Sequence, residues 1–460
     1  MSLAQLLLEH PTSWDSPILH TMNSMTTRGD LETEARAIAE QLLSVAPVSG
    51  AAVVVRLANG PHLVAAMFGT WLAGAVFCAV NPRITDHEWT AILESVQPAV
   101  VIDGTDMTVR ADARHYSAGT AFIMWTSGTT GLPKPIQHTH DGYLEFLDRV
   151  LRPLRAKVAS ENPMPNLIPV PIALNAGFYN TLFGLRAGAA LVIMDRFNTA
   201  EFAELVRRFS IRSTVLPPAA LAMLSDDSAV TDLAPLKYVR SITAPLSPLQ
   251  ARRFTQKFGA FVLNGYGQAE IGEVIGWTAA DAKAHPEKIG AVGRAHPGVA
   301  VKIDERGHLL VRPPNAANGL DDRIDEDGYI DTGDLGRIDD EAFVWIEGRA
   351  SDVINRGGNK VVPGVVEEVL ALLAEVDEVA VVGLPDDRLG EVPVAFLVGR
   401  SISEAALAAA CREHLVAYKV PAAFYWVPAL PRNEIGKVLR HELVAIGARL
   451  GAASTGEAGD

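Results

Sequence analysis

WTSGTTGLPKPIQHTH, Trp125 to His140, is the stretch on which the reading of this chain turns. The residues before it, TAFIM, are apolar and read as a buried strand. From that strand the chain runs straight into Ser, Gly and Thr. Their backbone N–H groups and short hydroxyls suit a ligand with several anionic oxygens, and Lys134 adds a point charge. A Walker loop ends in Gly-Lys-Ser/Thr; here Pro133 and Pro135 flank Lys134, so the stretch does not open a helix as a P-loop does. Two readings stay open at this point: a loop that holds an anion, and a flexible linker that carries a lysine.

A chain of 460 residues is too long for one compact core and predicts at least two domains. Its composition, 48% apolar and 20% charged, is that of a folded globular protein. A net charge of -14 with no dense Lys/Arg run counts against nucleic acid as a partner. The two cysteines, Cys78 and Cys411, are far apart and give no disulfide or metal framework, which fits a reducing compartment and a cytoplasmic location. The opening residues, MSLAQLLLEHPTSW, lack the basic region of a signal peptide. Leu63 to Val80 is uncharged and just long enough to span a membrane. Its Gly and Ala content favours a buried helix followed by a buried strand, GAVFCAV, with a membrane span as the alternative.

Outward from the opening stretch, short apolar runs recur: AAVVVRL, AVVID, AFIMW, AALVIMD, STVLPP, YVRSITAP and FVLNGYG. Helical patterns such as DLETEARAIAEQLLSV and EFAELVRRFSI lie between them. This alternation predicts an α/β N-terminal domain of layered, largely parallel sheets with helices. Ligands in such folds sit at the C-terminal ends of strands, where WTSGTTG, SITAPL and NGYGQAE fall. After about residue 340 the texture changes to short strands, a hairpin-like pair around PDDRLG and two helical runs, VVEEVLALL and SEAALAAACREHL. The expected division is an N-terminal domain over 1–349, a small α+β C-terminal domain over 351–450 joined by a hinge, and a disordered tail over 451–460.

Taken in order, the motifs resemble the adenylate-forming superfamily of acyl- and aryl-CoA synthetases, luciferases and peptide-synthetase adenylation domains. WTSGTTGLPKP, SITAPL, YGQAE, IGAVGRAHPG, YIDTGDL, GRASDVINRGGNKVVP and RNEIGKVLR carry the resemblance. GGNKVVPGVVEE looks closest to the CoA ligases of fatty or aryl acids.

The resemblance implies a role for each segment. Thr126, Ser127, Gly128, Thr129, Thr130, Gly131 and Lys134 would hold the β- and γ-phosphates of ATP while a carboxylate attacks the α-phosphate. Thr243, Ala244 and Pro245 would line the adenine edge. Gly265, Tyr266, Gly267 and Gln268 form the aromatic motif, with Tyr266 stacked on adenine. Glu270 would hold Mg²⁺, a hard cation suited to carboxylate oxygen. Asp334 would accept the ribose hydroxyls, and Arg349 would back up the ribose or phosphates. Lys437 would touch both the substrate carboxylate and the α-phosphate, offsetting charge at the developing bond. Taken singly, each has an ordinary structural reading as a capping acid, a surface ion pair or a solvated lysine.

A second half-reaction needs a second site. The resemblance implies that the small domain turns about Ser351, withdraws Lys437 and brings in Gly357 and Gly358, whose backbone can approach the pantetheine arm of coenzyme A. Three departures stand out. Ala269 replaces the motif's usual Thr, Leu174 stands where a His or aromatic ring usually closes the acyl pocket, and Ser351 replaces Asp or Lys. Leu174, Asn175 and Gly177 mark that pocket. The implied activity is an ATP-dependent acid–CoA ligase that forms an acyl-adenylate, with a small hydrophobic carboxylic acid, CoA, ATP and Mg²⁺ as reactants. A ligase that loads a carrier protein and a ligand-binding pseudoenzyme are the alternatives.

Overall fold

The run Ala52–Arg56 is apolar along its length because both of its faces are covered. Ala52 and Val54 pack into one core, Val53 and Val55 into another. In the computed structural model, which describes residues 2–127, 133–155, 163–241, 246, 248–316, 320–432 and 438–456, this strand lies inside a six-stranded sheet. Its neighbours Val76–Ala79 and Val100–Asp103 run parallel to it, as expected for a strand buried on two sides. The segment weighed as a membrane span divides into the helix Pro61–Leu72 and the strand Val76–Ala79. Among the described residues no helix is long and apolar enough to cross a membrane.

The sheets are mixed rather than largely parallel. The strand Thr120–Ser127 pairs parallel with Val76–Ala79 on one side and antiparallel with Pro133–Thr139 on the other. Trp125–Ser127 and Pro133–Thr139 of the opening stretch thus lie on two paired antiparallel strands. In a five-stranded sheet, Ser213–Val215, Tyr238–Ser241 and Phe261–Gln268 run parallel, and the edge strands Gly272–Gly276 and Arg294–Ala295 run antiparallel. A four-stranded sheet from Ala300 to Arg349 is antiparallel throughout. Short connections explain the difference: a tight turn can only join antiparallel neighbours. The strand Phe261–Gln268 follows the run FVLNGYG and extends one residue past it, so the first three residues of YGQAE lie on its C-terminal end.

A change of sheet partner marks the start of the small domain. The strand Val344–Arg349 closes the antiparallel sheet, Ala350–Asp352 forms a 3₁₀ turn, and Ile354–Arg356 enters a new sheet. That sheet is built on the long hairpin Val376–Asp386 and Gly390–Gly399. The helix Arg440–Gly456 packs on it and continues through the first six residues of the segment expected as a disordered tail, where alanines favour helix. Residues 457–460 lie outside the described residues. Arg440 bonds Glu367 at 2.8 Å and approaches Asp352 at 3.5 Å, so the last helix is pinned beside the turn that joins the domains. The segment before it is closed at its base by a bridge between Arg432 and Val438.

Close helix packing makes one glycine testable. Gly69, on the helix Pro61–Leu72, faces the helix Arg28–Val45, and a Cβ there would stand 2.7 Å from the Ala35 carbonyl oxygen. Gly69→Ala must push two backbones apart. It should cost about 1–3 kcal/mol, read as a lower urea midpoint at unchanged slope. A wild-type midpoint would show that the two helices do not meet as described.

Candidate active site

Asp334 is an acid in the middle of the strand Ile330–Ile338 and is 5% exposed. A carboxylate this deep needs partners. Arg349, its partner in register on the next strand, donates from Nε at 2.7 Å. The Tyr266 hydroxyl donates to its Oδ2, and Gln268 Nε2 approaches the same oxygen at 3.3 Å. Burial first, and then the Asp334 charge, push the Tyr266 phenol well above its ordinary range. The phenol therefore stays protonated and serves as a donor. Its ring packs among apolar residues that include Ile271 and Val274. The strand Phe261–Gln268 and the strand Ile330–Ile338 belong to different sheets, and this knot joins them.

Arg323 extends the knot and carried no motif signal. It sits in the 3₁₀ turn Asp321–Arg323, a lone cation in the acidic run LDDRIDEDGYIDTGD. Its Nε donates to the Asp331 carbonyl at 2.9 Å and its Nη2 to Gln268 Oε1 at 2.7 Å. Its Nη1 stands 3.5 Å from Glu270 Oε1. Gln268 in turn donates to the Thr332 carbonyl at 2.7 Å. Tyr266, Gln268, Glu270, Asp334 and Arg349 are thus brought into one connected group. Arg349 remains 45% exposed, so part of its guanidinium stays open to a ligand.

Among the described residues no group of three or more His, Cys, Asp or Glu side chains is placed to hold a metal. A single carboxylate, Glu270, fits Mg²⁺ bound chiefly by substrate phosphates and water, the usual manner of that ion, and does not fit an all-protein cage.

The stretch expected to hold phosphates is flanked by paired strands. Thr126 stands opposite Lys134 and Ser127 opposite Pro133 in the antiparallel pair. Gly128, Thr129, Thr130 and Gly131 lie outside the described residues, as do Thr243, Ala244, Pro245 and Lys437. Further along the same strand His138 is 3% exposed and stacks on Phe122 at 4.8 Å. Burial lowers its pKa to about 4, only partly offset by the nearby Ala269 backbone, so His138 is neutral.

On the acyl side, Leu174 immediately precedes the helix Asn175–Arg186, and both Leu174 and Asn175 are partly exposed. Gly177 is buried, and a side chain does not fit there: a Cβ would lie 2.8 Å from the Ile172 nitrogen and overlap the Pro171 carbonyl. Ile172, Ala173 and Phe178 are packed in the main core with Phe77 and Phe122. Their apolar surface is taken up by the fold, so it does not measure the character of a pocket. In the small domain, Gly357 and Gly358 form an exposed turn with φ of 56° and 86°. Arg356 fixes that turn by donating to the carbonyls of Tyr418 and Val420 at 2.9 and 3.0 Å.

Comparison with known proteins gives the family and the fold. The family model described as AMP-binding enzyme matches residues 11–120 and 112–320, and that of the AMP-binding enzyme C-terminal domain matches 365–437. The chain is 29% identical to 4-coumarate–CoA ligase 3 of Oryza sativa subsp. japonica, over 91% of this chain and 87% of that one. It is 30% identical to 2-succinylbenzoate–CoA ligase of Bacillus velezensis, over 85% and 86%. The solved o-succinylbenzoate CoA synthetase of Bacillus subtilis with its acyl-adenylate superposes with a TM-score of 0.82 at 24% identity, covering 95% of this chain and 97% of that one. That likeness speaks for the fold.

The knot around Asp334 predicts coupling. In ligand-free protein, Asp334→Asn should cost about 1–3 kcal/mol, since it removes a charged acceptor from a buried network. Combined with Tyr266→Phe in a double-mutant cycle, the two changes should fall short of additivity by about 0.5–3 kcal/mol in urea denaturation. Strict additivity would mean that Tyr266 does not hold Asp334.

Proposed function

The chain belongs to the AMP-binding enzyme family, and on that premise we propose that its substrate is a bulky hydrophobic carboxylic acid with an aromatic ring. The protein is an ATP-dependent acid–CoA ligase. It joins the acid to AMP with release of pyrophosphate, and then transfers the acyl group to CoA with release of AMP. The matched 4-coumarate and 2-succinylbenzoate ligases act on ring-bearing acids, which supports an aromatic substrate here. Leu174 supports bulk, because it leaves more room than the ring or imidazole of the family pattern. Two buried free cysteines support a reducing, cytoplasmic setting.

The observation that carries the reading is the buried carboxylate of Asp334, with donors on one side and part of Arg349 open on the other. An acid and ATP are both anions and repel; catalysis must place them in line and offset their charge. Asp334, held rigid by Tyr266, Gln268 and Arg349, is suited to accept ribose hydroxyls. The open part of Arg349 is suited to a phosphate or ribose oxygen. Glu270 would hold Mg²⁺, which supplies further positive charge to the phosphates. Lys437 would stabilise charge where the acid meets the α-phosphate. Ala269 offers no hydroxyl there, so this chain relies on fewer contacts to that phosphate.

The second step needs the small domain to turn. The ion pair between Arg253 and Asp377, 3.2 Å, crosses between the domains with both side chains well exposed. Such a pair holds at most about 1 kcal/mol, too little to lock an orientation. The turn at Ala350–Asp352 would act as the hinge, with Ser351 at its centre.

Lys437→Ala tests this division of labour. It should slow acyl-adenylate formation by on the order of 10²–10³ or more and leave thioester formation from a supplied acyl-adenylate nearly intact. Stopped-flow measurement of the two half-reactions reads both. An equal loss in both would contradict the two-orientation scheme.

A further inference from the structure

Arg323 stands in a run of acids, LDDRIDEDGYIDTGD, yet its charge is directed out of that run. The acids nearest to it are engaged elsewhere: Asp325 faces Lys302 at 3.1 Å, and Asp331 faces His308 at 3.0 Å. Arg323 Nη1 instead stands 3.5 Å from Oε1 of Glu270, in the turn between the paired strands Phe261–Gln268 and Gly272–Gly276. The second acid of that hairpin, Glu273, has partners of its own in Arg240 and His296, the latter at 3.0 Å. Among the described side chains no other carboxylate lies within ion-pair distance of Arg323, and no other cation within that distance of Glu270. The pair is exclusive on both sides.

What holds Arg323 in place is not Glu270. Its Nε donates to the Asp331 carbonyl at 2.9 Å and its Nη2 to Gln268 Oε1 at 2.7 Å. Both acceptors are neutral oxygens. They fix the planar fork and leave its charge uncompensated. The backbone beneath is fixed as well: Arg323 N donates to the Leu320 carbonyl at 2.8 Å, Leu320 is buried, and Ile324 bridges to Ile330. A separation of 3.5 Å is longer than the charge-assisted hydrogen bond of a tight pair. The Glu270 carboxylate can therefore turn to another cation while the guanidinium stays where it is.

Gln268 connects this pair to Asp334, so Glu270 belongs to the group assigned to ribose and phosphates. A bare carboxylate there repels a triphosphate. Bound Mg²⁺ offsets that charge; without the metal, only a resident cation can. We propose that Arg323 is the standing counter-charge of Glu270: it neutralises that carboxylate in the metal-free site, so that the triphosphate is not repelled, and yields it to Mg²⁺. The inference rests on the reading of Glu270 as the magnesium residue of an ATP-dependent ligase. With the metal present, Arg323 has two opposed effects: it competes for Glu270, and its charge still favours the phosphates. Its removal is therefore felt chiefly in the absence of metal.

Calorimetry of ATP binding, with no carboxylic acid present, tests this in two buffers, one with Mg²⁺ and one with a chelator. Arg323→Gln should weaken metal-free ATP by about fivefold or more, the effect of one unit charge near the phosphates, and change ATP with Mg²⁺ by no more than about twofold. Glu270→Gln added to that variant should return metal-free ATP to within about twofold of wild type, because the repelling charge is gone. A purely structural Arg323 would weaken both forms alike, and removing Glu270 would not rescue it; either result would overturn the inference. Should Arg323→Gln fail to fold, Glu270→Gln alone decides. It frees the guanidinium for the phosphates and should bind metal-free ATP about threefold or more tightly than wild type; equal or weaker binding would overturn the inference. AMP formation over the acid panel is followed in parallel. The expected shifts without AMP formation would sink the ligase reading and leave this one standing, whereas AMP formation without the shifts would do the reverse. Failure of wild type to bind ATP without metal would overturn the inference, and failure in both buffers would sink the ligase reading as well.

Discussion

Burying one carboxylate organises this site. A charge as deep as Asp334 is tolerated only with donors in place, and the loss of Arg349 leaves it without a counter-charge. Tyr266 and Gln268 reach it from the strand Phe261–Gln268, and Arg349 from the end of Val344–Arg349. Two sheets that share no strand are thereby fixed against each other. Arg349 is also the last residue before the turn Ala350–Asp352. Asp352, the last residue of that turn, and Glu367 beyond it face Arg440, three residues after Lys437. Ionic contacts thus stand on both sides of Ser351, the residue proposed as the hinge.

The candidate site was legible through the order of its motifs and not through any one of them. YGQAE, TGD and GR stood out by their resemblance to a known family, and the fold does bring Tyr266, Asp334 and Arg349 together. Arg323 did not stand out: an arginine in an acidic loop reads as a solvated charge, and only the folded chain brings it to Gln268 and Glu270. Glu273 was equally silent. Its partners Arg240 and His296 lie 33 and 23 residues away, and no spacing rule links them. Alternation of strands and helices gave the layered α/β character. It could not separate parallel from antiparallel edges, because that depends on whether a connection is a crossover or a tight turn.

Apolar runs are ambiguous in sequence, because the same side chains can pack a core or face a ligand. Ile172 and Phe178 flank the position expected to close the acyl pocket, and both are fully buried in the core, so their apolar character belongs to the fold and does not measure the substrate. At the C-terminus, small residues expected as a disordered tail continue a helix through Gly456 once Arg440 has anchored its start.

The central claim is that this chain activates an acid as an adenylate before any thiol takes part. The most direct measurement is pyrophosphate release from purified protein with ATP and Mg²⁺, over a panel of aromatic and aliphatic acids, with and without CoA. The account predicts acid-dependent pyrophosphate without CoA, limited to about one equivalent of enzyme, and then continuous turnover with equal amounts of AMP and thioester once CoA is added. Release of phosphate and ADP, or pyrophosphate formation that does not depend on the acid, would contradict it.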